Sequence, residues 1–192
     1  MSPSNRELST IDLNENEYTV EQSLVRNKYA AYDETGELVL RAKQKMFKMK
    51  EEFPFVDPDG NEVFTVKAGG IIDVAGNYAI VDAETGAEIA ILDNDYSIFQ
   101  DTWKIRDSET EAKLAEINSR GALVTMARNL LPFGEIIPHK YEITDQHGEH
   151  VGNIDGQLSL RDRYEITIDD ASDVPTDAVV AAAMVIDAIQ GN

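Results

Sequence analysis

The sequence contains no cysteine. This excludes disulfides, thiolate nucleophiles and cysteine-ligated zinc. It also lacks a long hydrophobic run, because the longest apolar stretch, residues 178–186, is far shorter than the roughly 20 residues of a spanning helix. The N-terminal stretch MSPSNRELSTIDLNENE has no apolar region behind a basic start, so it does not resemble a secretory signal. We therefore expect a cytoplasmic protein without a transmembrane segment.

Positive charge is scarce. The chain has 17 Lys and Arg against 36 Asp and Glu, which gives a formal net charge of -19. This balance disfavours nucleic acid as a partner, since phosphate binding depends on cations that displace counterions. At about 1 M salt the Debye length falls to roughly 3 Å and most surface repulsion is screened. The acidity therefore predicts a protein adapted to a salty cytoplasm.

Five segments repeat one pattern, in which alternating apolar residues lead to an Asp, a short polar turn and a second alternating run. The turn contains Gly in every copy except the fourth, where Glu111 takes its place and predicts a looser turn. Alternation on both sides of an Asp and Gly turn is typical of β-hairpins. With the remaining short strands, the pattern predicts an all-β barrel or sandwich of about 12 strands. The segments are YAAYDETGELVL, PFVDPDGNEVFTV, YAIVDAETGAEIAIL, WKIRDSETEAKLAEI and YEITDQHGEHVGNI.

Two segments have helical patterns instead. Leu123, Met126, Ala127 and Leu130 form a helical stripe, which predicts a short helix near 121–131 that packs across one end of the barrel. The C-terminal stretch TDAVVAAAMVIDAIQGN is apolar around its whole circumference, so it predicts a helix buried on all sides. In an all-β protein this requires a closed barrel around the helix. Asp187 is the polar exception, expected at the barrel mouth or bonded to backbone.

These features together resemble the tubby C-terminal-like fold, and within it the LURP-one-related family. The matching stretches are the repeated hairpins, KQKMFKMKEEFPFVDPDG, GGIIDVAGNYAIVD and the ending RYEITIDDASDVPTDAVVAAAMVIDAI. The resemblance implies a closed antiparallel barrel of about 12 strands around the C-terminal helix. We predict a flexible tail over residues 1–14 and a single barrel domain over 15–192. Acidity and resemblance together suggest a member from a salt-loving archaeon.

Related families suggest ligands without assigning one to this chain. Tubby-like domains bind phosphoinositide head groups through basic residues, and scramblases are associated with calcium and membranes. The matching candidate in this sequence is a basic run that alternates on a predicted strand. As an alternative, these cations form a solvated face that neutralises Glu51 and Glu52. The candidate residues for an anionic ligand or lipid are Arg41, Lys43, Lys45, Lys48 and Lys50.

Motifs for catalysis or metal binding do not emerge. Two loops fail the EF-hand pattern, and His147 and His150 lack a third ligand at a characteristic spacing. We predict no catalytic residues, no metal site and no cofactor. The sequence thus favours a non-enzymatic binding or scaffold module whose partner is an unknown protein or an anionic small molecule or lipid. One alternative is peripheral membrane binding through the basic strand, and a second is an uncharacterised enzyme.

Overall fold

The described part of the chain forms one closed antiparallel barrel. The structure is a computed structural model that describes residues 8, 10–23, 28–43, 52–69, 77–96, 101–119, 140–157, 163–169 and 173–190. These residues form twelve strands and one helix, α1 (Thr176–Gln190). Each strand pairs with its neighbours in sequence, and β1 also pairs with β12 to close the barrel. The strands are β1 (Glu17–Ser23), β2 (Lys28–Tyr32), β3 (Leu38–Lys43), β4 (Glu52–Val56), β5 (Glu62–Ala68), β6 (Asn77–Asp82), β7 (Glu88–Tyr96), β8 (Asp101–Asp107), β9 (Lys113–Ser119), β10 (Lys140–Asp145), β11 (His150–Gln157) and β12 (Arg163–Ile168).

The five repeated segments are hairpins, as predicted. In the first, the Asp33 carboxylate accepts hydrogen bonds from the backbone N–H groups of Thr35 and Glu37, both at 2.9 Å. Gly36 has φ +83° and donates its N–H to the Asp33 carbonyl at 3.0 Å. Asp therefore begins the turn by bonding its own backbone, and Gly supplies the left-handed conformation that closes it.

The fourth turn closes like the third without glycine, so the prediction of a looser turn was wrong. The Glu111 N–H donates to the Asp107 carbonyl at 3.0 Å, as Gly86 does to Asp82 at 2.9 Å in the preceding hairpin. Glu111 reaches this geometry at φ +58°, a left-handed conformation that costs a non-glycine residue about 1 kcal/mol or more.

A β-bulge follows the turn in every one of these hairpins. The register shifts by one residue at the same place in all five, which leaves one extra residue on the returning strand. That extra residue is always apolar and lies three positions after the turn Gly or Glu111. Each one is buried in the core or packs against it: Val39, Val63, Ile89, Leu114 and Val151.

Helix α1 fills the barrel. Every residue from Ala178 to Ile186 is buried, and Val179 through Ala182 have no exposed surface. Because strand side chains alternate between faces, the inward rows of the strands enclose this helix. The outward row is not polar throughout, since Ala79, Val81 and Ile91 on β6 and β7 are also buried. Trp103, Tyr29 and Phe55 are among the largest side chains completely enclosed there. The predicted mainly β barrel with an enclosed C-terminal helix is confirmed.

The N-terminal segment is attached to the first turn of α1. The backbone N–H of Leu8 donates to the Asp177 carboxylate at 2.9 Å, and Leu8 and Leu13 are both buried in the core. The carboxylate lies where the helix dipole favours a negative charge. The division into a tail over 1–14 and a barrel over 15–192 stays a prediction, although two of the leucines before residue 15 join the core.

The strands of the barrel run between two ends. The five Asp-containing turns lie at one end, here called the turn end. Lys28, Lys43, Lys67, Lys140 and Arg163 lie where their strands begin or finish at the opposite end, here called the far end. The predicted 121–131 helix lies outside the described residues. The side chain of Asp187 is not among the described side chains either.

Candidate anion-binding surface

Arg41, the first predicted anion ligand, holds a hairpin. It lies on the outer face of β3, because its neighbour Leu40 is buried in the core. Its Nη2 donates to the carbonyls of Asp57 at 3.0 Å and Pro58 at 2.6 Å, both in the β4–β5 turn. Its Nε is buried and has no hydrogen-bond partner among the described residues. One nitrogen of the guanidinium is therefore committed to the protein itself, and a role in ligand binding stays a prediction.

The strand register places position 43 opposite Lys28, a lysine that was not among the residues predicted from the sequence. In the β2–β3 register Lys43 lies directly opposite Lys28. Both positions belong to the outer face, because Tyr29 is buried inside the barrel and side chains alternate. Residues directly opposite on antiparallel strands have Cβ atoms about 4.5–5.5 Å apart, and like charges placed there are destabilising.

The β2–β3 bulge creates this pairing. Tyr32 pairs with Leu38, and an uninterrupted ladder would continue until Lys28 met Ala42. The extra residue Val39 shifts the register by one, so Lys28 meets Lys43 instead. The bulge therefore decides which position of β3 lies opposite Lys28.

The nearby carboxylates are engaged with other cations. Glu21 lies 3.8 Å from Arg163, and Glu52 lies 3.1 Å from Lys67. Within the described part of the chain Lys28 itself is exposed and forms no ion pair. Glu21 and Glu52 are therefore each close to a cation other than Lys28. The other predicted ligands, Lys45, Lys48 and Lys50, lie outside the described residues.

The carboxylates with lowered pKa values belong to the hairpin turns. The Thr35 hydroxyl lowers the pKa of Asp33, and the Asn61 side-chain amide lowers that of Asp57. The backbone N–H of Glu149 does the same for the pKa of Asp145. In each case a hydrogen bond to the charged form favours ionisation. These groups stabilise turns, and their low pKa values make them poor general bases near neutral pH.

The histidines considered as metal ligands are exposed in the β10–β11 hairpin. His147 donates its backbone N–H to Asp145 at 2.8 Å, and the His150 Nε2 lies 3.1 Å from the Asn153 side-chain oxygen. Across the described ranges, no group of three or more His, Asp or Glu side chains is placed to hold a metal ion.

A membrane-spanning helix is not found either. Of the residues with described positions, none belong to a helix that combines the length and apolar character needed to cross a bilayer.

Comparisons with known proteins agree with the barrel. The fold is similar to the X-ray structure of a protein from Arabidopsis thaliana, with a TM-score of 0.57 over 98% of this chain and 96% of that chain. The two sequences are only 9% identical, so this likeness concerns the fold alone. No curated protein matches the sequence significantly. The model of the LURP-one-related family matches residues 38–187, which include β3 to β12 and most of the enclosed helix. With well over half of its length matched, the chain belongs to the LURP-one-related family.

Proposed function

We propose that this protein is a non-enzymatic binding or scaffold module that works in the cytoplasm. The observation that carries the proposal is the filled barrel. Barrels that bind small molecules inside hold an open interior, whereas here Ala178–Ile186 occupy that space. A partner therefore has to bind the outer surface or the ends of the barrel. Such a surface can bind another molecule, but it does not enclose a reacting substrate.

The turn carboxylates support the same proposal. A general acid or base works best with a pKa near the operating pH. The lowered pKa values of Asp33, Asp57 and Asp145 move these groups away from that range. Their hydrogen bonds serve the hairpins in which they lie.

Chemical crosslinking in molar salt tests this function. The full chain is incubated with an extract at high salt, and crosslinked peptides are mapped by mass spectrometry. We expect one partner to crosslink to the outer surface, with a yield that saturates and that falls when unlabelled protein is added as a competitor. The partner should be recovered chemically unchanged. An equally acidic unrelated protein serves as the control. Recovery of a bound small molecule that is converted on incubation would contradict the proposal and favour the enzyme alternative.

A second candidate function is peripheral binding to anionic lipid through Arg41, Lys43, Lys45, Lys48 and Lys50. The placement of Lys43 beside Lys28 at the far end favours it, since clustered cations attract anionic head groups by about 1 kcal/mol each. Salt screening weakens long-range attraction, so only close contacts would persist at molar salt.

Liposome co-sedimentation in high salt tests this second candidate. We expect wild-type protein to sediment with anionic vesicles and the variant with Lys43→Glu and Lys45→Glu to stay in solution. The absence of wild-type binding at high and low salt would remove the candidate.

A further inference from the structure

The described N-terminal residues, 8 and 10–16, form a segment at the turn end of the barrel, here called the strap. At its start, the Leu8 N–H donates to the Asp177 carboxylate in the first turn of α1 at 2.9 Å. At its end, the Asn16 carbonyl accepts from the N–H of Ile168, the last residue of β12, at 2.8 Å. The strap therefore connects the first turn of the enclosed helix with the start of β1.

Apolar side chains anchor the strap, and polar side chains between and beside them face solvent. Leu8 and Leu13 are buried in the core and Ile11 packs against it, whereas Asp12 and Asn14 are exposed. Residues 10–15 belong to no strand. Because no β-ladder has to break, the strap can leave the turn end while the barrel stays closed.

We propose that the turn end is a binding site for an extended segment of a partner protein that carries two leucine side chains, and that the strap occupies this site as a built-in competitor. This rests on the proposed binding function and names the chemistry of the partner. The site offers the buried Asp177 carboxylate to a backbone N–H, and it buries two apolar side chains five positions apart. A partner segment with the same features can therefore replace the strap.

Apolar contact has to drive this recognition, because charge opposes it. The exposed carboxylates of Asp12 and Glu15 belong to a chain with a net charge of -19. Molar salt screens the repulsion, whereas the burial of leucine side chains does not depend on charge. A strap-like segment should thus bind more tightly as salt rises, which is the opposite of binding to anionic lipid through cations.

Binding of a labelled peptide to the full chain, followed by fluorescence anisotropy in molar salt, tests the site. The probe is the strap sequence LSTIDLNEN with an acetylated N-terminus, which keeps the first leucine nitrogen as an amide donor. The variant Leu8→Asp with Leu13→Asp should release its own strap and bind the peptide. Wild type should bind the peptide at least about tenfold more weakly, because the attached strap competes at an effective concentration in the millimolar range.

The matched control is Thr10→Asp with Asn14→Asp, which introduces two aspartates at exposed positions of the strap. This control should keep its strap in place and bind the peptide as weakly as wild type. A second probe, in which serine replaces both leucines, should bind none of the proteins. Equal binding of the first probe to the two double variants, or equal binding of the two probes, would overturn the site.

Asp177 provides an independent test of where the peptide binds. Addition of Asp177→Ala to the released variant should weaken peptide binding by about tenfold, since the N–H of the first leucine loses its buried acceptor. Circular dichroism checks that each variant is folded. Unchanged affinity in a folded variant would overturn the site at the first turn of α1.

Hydrogen exchange of wild type, measured by NMR, tests the proposal even if the released variant does not fold. Millimolar peptide should speed exchange of the Leu8 amide, because the displaced strap loses its acceptor, and should leave exchange within β1 unchanged. Unchanged exchange at Leu8 would overturn the proposal. Dimerisation of wild type that the peptide reverses would also overturn it, in favour of strap exchange between two copies. Crosslinking of a partner to another face would remove this site and leave the binding function intact.

Discussion

Gly152 occupies a position in β11 where no side chain fits. A Cβ at this residue would overlap the carbonyl oxygen of Thr167 and lie 3.1 Å from the Ile168 Cα and 3.2 Å from the Thr167 carbonyl carbon. All three are backbone atoms of the β12 region, so no rotamer change relieves the contact. The substitution Gly152→Ala therefore requires β12 to move.

Such a movement is resisted by the closure of the barrel. β12 is also paired with β1, and the Ile168 N–H donates to the Asn16 carbonyl at 2.8 Å. Overpacking costs about 1–3 kcal/mol, and each disrupted ladder hydrogen bond adds about 1 kcal/mol. After the conformational gain of Gly to Ala, we expect Gly152→Ala to lower the free energy of unfolding by about 3 kcal/mol. For a chain of this size that corresponds to about 6–12 °C in Tm.

Urea and thermal unfolding followed by circular dichroism measure the effect, with Gly148→Ala as the matched control. Gly148 lies in the preceding turn at φ +84°, but a Cβ there would meet nothing within 4 Å. The Gly148→Ala substitution should therefore lower the free energy of unfolding only by the cost of the left-handed backbone conformation, about 1 kcal/mol. If Gly152→Ala is no more destabilising than Gly148→Ala, the close approach of β11 and β12 is not as described.

Four further predictions concern other parts of the chain. Glu111→Gly should raise the free energy of unfolding by about 1 kcal/mol in urea titrations, since glycine adopts φ +58° without the strain that a side chain causes. A lower free energy of unfolding would contradict the turn geometry. Asp177→Ala should lower it by about 1–3 kcal/mol and speed proteolysis before β1, because the Leu8 N–H loses its buried acceptor; unchanged protease resistance would refute this role. The Asn61 side-chain amide lowers the pKa of Asp57 from 3.8, so its stabilising effect is present above about pH 4 and lost as pH falls through the lower folded value. The stability gap between wild type and Asp57→Asn should thus close in acid, and a constant gap in urea midpoints would contradict it. Finally, midpoints should rise from low to molar salt as repulsion among 36 carboxylates is screened, and a flat response would argue against salt adaptation.

The sequence itself determined the architecture, because the relevant signals are local or periodic. Alternation around Asp and Gly turns predicts hairpins, and the apolar circumference of Ala178–Ile186 requires a surrounding barrel. Even the bulge corresponds to a feature of the repeated sequence, because an apolar residue follows the turn Gly by three positions. This apolar residue does not, however, predict how the bulge changes the pairing of the two strands.

Tertiary structure alone decided which residues meet. Alternation assigns positions 41 and 43 to the same side of β3, but it gave no sign that Arg41 reaches the Asp57 and Pro58 carbonyls. Nor did it show that position 28 lies opposite position 43, because the bulge at Val39 changes the cross-strand partners beyond it, and alternation within one strand does not report those partners. Periodicity sets which side of a strand a residue occupies, but the partner across the ladder depends on the turn and the bulge that join the two strands.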